Sequence, residues 1–373
     1  MSDSVVAEES PVRPTAKPIC LIAADGTPAS EKMAAGFRMP SSDILLSLYR
    51  RMVVGRRFDV QVTALTRQGR LATYPSAVGQ EACEIGAVAA LKPQDWLFPT
   101  YRDTMAVMTL GVAPAEALLQ FRGDWHMGFD PYEHRISVQA TPLATQALHA
   151  VGLATAAKLK GDDVVALTFL GDGSTSEGDA HEAFNFASVW QAPVVFVIQN
   201  NQYAISVPVA KQSHARTLAD KAIGYGMPGY YVDGNDVAAM YAVISTAVEN
   251  AREGHGPTMI EGLTYRVEAH TNSDDPTRYR DRDEEGAWAA LDPIARLERY
   301  LRDNGALNDQ LGAEIAAEAE TLAAHVREAI TTEVELDPLE LFDHVYVNPR
   351  ANLAEQREYL ARELAFAKQE GKK

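Results

Sequence analysis

The chain has 373 residues, enough for one large α/β domain or two smaller ones, and its 46% hydrophobic content allows a sizeable core. Its 51 acidic against 34 basic residues give a formal charge of −17, which argues against nucleic acid or an anionic membrane surface, since binding either needs clustered Lys and Arg. Cys20 and Cys83 build neither a disulfide framework nor a metal-ligand spacing, and suit a reducing compartment. The polar start MSDSVVAEES reads as neither secretory signal nor transit peptide, and no apolar run approaches bilayer length. The expectation is a soluble, cytoplasmic protein.

Residues 1–40 read as a proline-punctuated, partly disordered arm, with ICLIAADGTP able to form a short hairpin around Asp25-Gly26. Regular structure is expected from SSDILLSLYRRMVVG, where Ser42 can cap and Ile44, Leu45, Leu48, Met52 and Val53 recur at helical spacing. QEACEIGAVAALKPQD and PAEALLQFRG read as further helices. A fourth starts near Pro142 and closes on Gly161. DVVALTFLG, APVVFVIQN, GYYVDGN and PTMIEGLTYRV are then short apolar runs separated by helical stretches, which predicts βαβ units and a mostly parallel sheet flanked by helices. The continuous apolarity of the first two predicts strands buried on both faces. From about Asp292 the chain turns helical and charged, which makes residues 41–345 the main α/β domain and 346–373 a helical C-terminal extension.

Two of these strands end abruptly in polar residues, GDGS at 171–174 and QNNQYAIS at 199–206, about thirty residues apart. In an open parallel sheet, ligands collect beyond the carboxyl ends of the strands. Gly171 and Gly173 let the backbone turn sharply and bring bare N–H groups to an anion, and the helix opened by STSEGDAHEAFNFA favours negative charge at its start. A carboxylate, Asp172, among anion-binding amides makes sense if Mg²⁺ rides on a diphosphate there. Asn201 can supply a neutral side-chain oxygen and the following turn a carbonyl. A lone Gly-Asp-Gly is more often an ordinary turn; the strand on each side and the spacing favour the metal reading. The Gly-Asp-Gly segment is neither a P-loop nor a GxGxxG fingerprint.

GDGSTSEGD…QNNQYAIS resembles the thiamine diphosphate motif. RQGRLATYPSAVGQEA, WLFPTYRD, TPLATQALHAVG, GYGMPGYYVDGNDV and TYRVEAHTNSDDPTRYR resemble, in the same order, the alpha subunit of the decarboxylating component of the 2-oxo acid dehydrogenase complexes. The likeness runs from about residue 40 almost to the end, and TPLATQ, SEGDAHEAFNFA and YAIS look most like the branched-chain members, with the pyruvate enzymes as runner-up. It implies a thiamine diphosphate-binding fold in which Asp172 and Asn201 bind Mg²⁺ through side chains and Tyr203 through its carbonyl. Gly173 and Ser174 would meet the diphosphate through N–H groups, and Tyr101 and Arg102 would reach it from the other side. Thr141, held extended before a proline, would aim its backbone at the aminopyrimidine, and Leu143 would prop the cofactor in its bent form. Thr145 and Gln146 match positions that help bind potassium in branched-chain members. His270 matches the active-site acid–base or electrostatic group, at the expected end of a strand. Thr271 stands where mitochondrial members carry a regulatory serine.

The resemblance further implies an α₂β₂ assembly. The beta subunit supplies the glutamate that activates the cofactor, and a lipoyl-bearing acyltransferase core receives the acyl group of a 2-oxo acid such as 3-methyl-2-oxobutanoate. Two other classes fit less well. A single-chain thiamine enzyme needs a second α/β unit, and a non-catalytic scaffold has no use for Asp172, Asn201, Arg102 and His270 together.

Overall fold

The computed structural model describes residues 12–123, 127–332, 336–343 and 345–370. In chain order the strands are β1 (Trp96–Phe98), β2 (Ala166–Gly171), β3 (Val194–Asn200), the two-residue β4 (Tyr203–Ala204) and β5 (Val207–Pro208), β6 (Gly229–Asp233) and β7 (Thr258–Leu263). β4 and β5 pair as an antiparallel hairpin. The other five make one parallel sheet in the order β1-β2-β3-β7-β6, as the alternation of apolar runs and helices predicts. β1 was not expected: three residues are too few to show a period.

β2 and β3 are buried on both faces, which explains their unbroken apolarity. Alternate side chains divide between two cores. Leu167, Phe169, Val195 and Val197 join the helices Ser42–Arg67, Glu81–Val88 and Val237–Arg252. Ala166, Leu170, Val194, Phe196 and Ile198 join Thr145–Lys160 and Gly178–Trp190 on the other face. Both sides of the sheet are therefore shut, and only its strand ends are open to a ligand.

The first long helix is capped by Ser41, whose Oγ accepts from the Ile44 N–H at 3.4 Å, one residue before the expected Ser42. The helix expected to start near Pro142 begins at Thr145, because Ala144 stands in the left-handed region at φ 64°. It closes on Gly161 at φ 76°, as expected. PAEALLQFRG forms only short turns, Glu116–Leu118 and Leu119–Arg122.

The hairpin at Asp25-Gly26 forms, with Ala23 N–H donating to the Thr27 carbonyl at 2.7 Å and Ala29 N–H to Leu21 at 2.8 Å. Ile19 extends the outer edge of the sheet: its N–H donates to the Tyr231 carbonyl at 2.8 Å and its carbonyl accepts from Asp233 at 2.9 Å. Residues 1–11 of the arm expected to be partly disordered lie outside the described residues. At the other end Asp309–Thr331 packs along the first long helix, while Ala351–Glu370 buries no residue.

Candidate active site

β2 and β3 run in register, Gly171 opposite Gln199, so the residues that follow them emerge side by side. Asp172 and Asn201 are both buried. Burial pushes the Asp172 carboxyl up, opposed by the Gln212 amide, which donates to Oδ2 at 2.7 Å, and by Arg266 and the Asn201 N–H. Tyr203 N–H donates to Asn201 Oδ1 at 3.2 Å.

After Asp172 the chain makes a 3₁₀ turn, Gly173–Ser176, before the helix Gly178–Trp190. Neither Gly171 nor Gly173 has the positive φ that the sharp-turn expectation required. Gly173 is demanded by proximity instead, since a Cβ there would stand 2.6 Å from the Ala204 Cβ. Lys221 pins the turn, donating to the Thr175 carbonyl at 2.6 Å and hydroxyl at 2.8 Å. Gln202 and Ile205 in the facing loop hold φ of 76° and 54°. For a β-branched residue such as Ile205 that conformation costs about 1–3 kcal/mol, a strain typical of functional loops.

Tyr101 and Arg102 follow β1, and Arg102 is buried. Its Nη1 donates to the Ser76 carbonyl at 2.6 Å, and its Nη2 lies 3.1 Å from His270 Nδ1 and 3.2 Å from the His270 carbonyl. Arg266 approaches the same Nδ1 at 3.1 Å and also donates to the carbonyls of Tyr203 at 3.4 Å and Ile205 at 2.8 Å. A guanidinium can only donate, so Nδ1 is the acceptor and the imidazole proton sits on Nε2. Burial first, then Arg102 and Arg266, bring the His270 pKa down to about 3, and the ring is neutral. His270 lies beyond the end of β7 at Leu263, in a loop and not at the strand end expected for it.

A third guanidinium, Arg280, sits 5.3 Å from the Tyr203 ring centroid, 5.0 Å from that of Tyr265 and 5.9 Å from that of Tyr279. Burial, Arg102 and Arg280 together lower Arg266 to about 10. Asp274 and Glu285 answer part of this charge: Asp274 accepts from the His270 N–H at 2.9 Å, and Glu285 lies 3.9 Å from Arg280. Among the described residues, Arg266 Nε and Arg280 Nε and Nη2 still have no hydrogen-bond partner. Buried like charges with unmatched donors are the arrangement that a multiply charged anion relieves.

Of the expected residues, Asp172, Gly173, Ser174, Asn201 and Tyr203 share one strand-end cluster, and Arg102 and His270 join it through Arg266. The Tyr101 ring stands edge-on to His270 at 6.1 Å. Thr141 and Leu143 are exposed. Thr145 donates to Asp179 of the helix Gly178–Trp190 at 3.3 Å, and the Gln146 amide donates to the Phe169 carbonyl of β2 at 2.8 Å. Arg266, Arg280, Gln212 and Lys221 were not anticipated; Arg266 stands four residues before His270 in TYRVEAH.

Whether a divalent ion fits can be tested on these residues. Asp172, Asn201 Oδ1 and the Tyr203 carbonyl are hard oxygen donors, and Gln212 Oε1 is buried beside them with no hydrogen-bond partner among the described residues. Among the described residues no three His, Cys, Asp or Glu side chains converge on one point. The donor set therefore suits an ion that arrives with phosphate oxygens, as Mg²⁺ commonly does.

Fold and site together define a parallel α/β protein with buried oxygen donors and arginines gathered at the carboxyl edge of its sheet. Residues 49–338 match the dehydrogenase E1 component family, and the chain belongs to it. That family is thiamine diphosphate-dependent, and its members generally work in complexes with a beta subunit and an acyltransferase core. The chain is 46% identical over 349 residues to the 3-methyl-2-oxobutanoate dehydrogenase subunit alpha of Mycobacterium tuberculosis, covering 94% of this chain and 95% of that one. It is 40% identical over 339 residues to the pyruvate dehydrogenase E1 component subunit alpha of Acholeplasma laidlawii, covering 90% and 96%. It is also 40% identical over 316 residues to that of Staphylococcus aureus, covering 84% and 85%. Among the described residues no helix is long and apolar enough to cross a membrane.

Proposed function

We propose that this chain is the alpha subunit of a cytoplasmic α₂β₂ enzyme that oxidatively decarboxylates a branched-chain 2-oxo acid, such as 3-methyl-2-oxobutanoate, and passes the acyl group to a lipoyl domain. The supporting observation is the pairing of Asp172 with Asn201 beside three converging arginines, which provides for a metal and a diphosphate at one strand edge. Arg102, Arg266 and the N–H groups of Gly173 and Ser174 hold the diphosphate. Asp172, Asn201 and the Tyr203 carbonyl hold Mg²⁺. Tyr101 flanks the diphosphate, and Thr141 and Leu143 take the aminopyrimidine side. Thr145 Oγ1 and Gln146 Oε1 are the oxygens for a potassium ion.

Bound thiamine diphosphate supplies the electron sink that lets a 2-oxo acid lose carbon dioxide. Around it, neutral His270 offers Nε2–H to a phosphate or substrate oxygen, while Arg102 and Arg266 fix its tautomer. No glutamate of this chain is assigned to cofactor activation; the beta subunit brings it, together with part of the substrate pocket. Residues 41–345 form the cofactor-binding unit and 346–373 an extension to it.

The branched-chain reading is favoured by 46% against 40% identity. Pyruvate is the second reading, carried by the same site. Turnover of the chain assembled with its beta partner, with cofactor, Mg²⁺ and an artificial electron acceptor, decides between them. Preference for 3-methyl-2-oxobutanoate supports the proposal, and preference for pyruvate overturns its substrate assignment alone.

A further inference from the structure

Behind Asn201 runs a chain of buried side-chain amides. Asn201 Nδ2 donates to Gln80 Oε1 at 2.9 Å, Gln80 Nε2 donates to Gln199 Oε1 at 2.8 Å, and Gln199 Nε2 donates to Asp103 Oδ1 at 2.5 Å. Asp103 Oδ2 accepts the Thr100 N–H at 2.6 Å. All four side chains are buried. An amide has a donor end and an acceptor end, so a row of them has a direction. An ionised carboxylate only accepts, which fixes the direction at one end. The Tyr203 N–H, which donates to Asn201 Oδ1, fixes the same direction at the other.

We propose that Asp103, Gln199 and Gln80 are positioning residues that set the polarity of the Asn201 amide and so present its oxygen, not its nitrogen, to the metal. The inference rests on the Mg²⁺ site proposed above. It gives one physical role to residues in three separate segments, VGQEA, TYRD and VIQNN, none of which touches the ligand at these atoms.

Asp103→Asn tests it because the substitution reverses the chain and does not merely cut it. The Thr100 N–H keeps the oxygen of the introduced amide, which turns its NH₂ toward Gln199. Gln199 and Gln80 then flip, and Asn201 is driven to direct nitrogen at the metal. Asn201→Asp makes the opposite demand, since a carboxylate at 201 needs Gln80 to donate, the direction that Asp103→Asn creates. The two substitutions should therefore show reversed sign in combination.

The measurement is the Mg²⁺ concentration that half-saturates thiamine diphosphate binding to the assembled enzyme, alongside thermal unfolding of the metal-free enzyme. Asp103→Asn alone should raise that concentration about 10- to 100-fold, as lost outer partners of metal ligands do, with little change in metal-free unfolding. In the Asn201→Asp background the same substitution should lower it. As a check that leaves Asp103 in place, Gln80→Glu still accepts from Asn201, though it no longer donates to Gln199, and should raise the value less than Gln80→Met, which cannot accept. Losses from Asp103→Asn in both backgrounds, no change in either, or equal effects of the two Gln80 variants overturn the proposal. Unaltered Mg²⁺ dependence in Asp172→Ala overturns the metal site itself, which separates that failure from failure of the amide chain alone.

Discussion

Arg266 directs Nη1 at His270 Nδ1 from 3.1 Å, a contact in which the arginine can only donate. With burial, the larger cause, and Arg102, it leaves His270 a neutral imidazole with pKa about 3 against an ordinary 6.5. Between those values the unfolded chain takes up a proton that the folded protein refuses, so the contribution of His270 to stability falls as pH drops from 6.5 toward 3 and is flat above 6.5. Asp59 and Asp103, each raised to about 6, chiefly by burial, act in the opposite sense between their ordinary range and pH 6. Denaturant unfolding at a series of pH values should therefore give His270→Asn a shallower acid-side loss than wild type. Parallel curves would contradict the neutral assignment.

Arg266 also ties the loop after Asn201 to the histidine. Arg266→Lys keeps a charge but loses the fork that reaches Tyr203, Ile205 and His270 together. Thiamine diphosphate affinity should fall about 10- to 100-fold, the equivalent of about 1.5–3 kcal/mol for one charged hydrogen-bonding partner. Calorimetric titration of the assembled enzyme reads this directly.

Gly173 and Ala204 form a second constraint. A methyl group added at 173 collides with Ala204, so Gly173→Ala should cost about 1–3 kcal/mol, as overpacking does. The double variant Gly173→Ala, Ala204→Gly should recover most of the loss in thermal unfolding and in cofactor binding. Equal defects in single and double variants would show that the close approach is not the cause.

Asp59, fully buried, accepts from the Tyr74 hydroxyl at 3.0 Å, the Ser76 hydroxyl at 2.6 Å and the Ala77 N–H at 2.8 Å. It thereby sets the segment whose Ser76 carbonyl receives Arg102. Asp59→Ala strands three buried donors, and a loss of about 3 kcal/mol or more is expected in denaturant unfolding, with weakened cofactor binding. Asp59→Asn keeps an acceptor and should lose less.

The strand-end cluster was legible because its logic is local. An apolar run that stops on Gly-Asp-Gly or Asn-Asn shows both the strand and the polar group at its end. Most helices read well for the same reason, but PAEALLQFRG broke into short turns, and termini such as Ala144, whose left-handed backbone contradicts its residue type, were misplaced. Arg266 was missed because nothing in TYRVEAH says that a side chain four residues before a histidine turns back on it. Irregular backbone has no period from which to infer that contact. The reason for Gly173 was misjudged likewise: a close approach by Ala204 depends on a loop thirty residues away, and residue type alone reports only conformational freedom. Asp103, Gln199 and Gln80 are ordinary polar residues in sequence and acquire a shared role only when three segments meet.

The most direct test of the account is whether thiamine diphosphate binding to the assembled enzyme depends on a divalent ion held by Asp172. Calorimetric titration should show saturable binding with Mg²⁺, loss of binding with chelator, and no Mg²⁺-dependent binding in Asp172→Ala, whose metal-free unfolding stays close to wild type. Undiminished binding by Asp172→Ala, or by wild type in chelator, would contradict it.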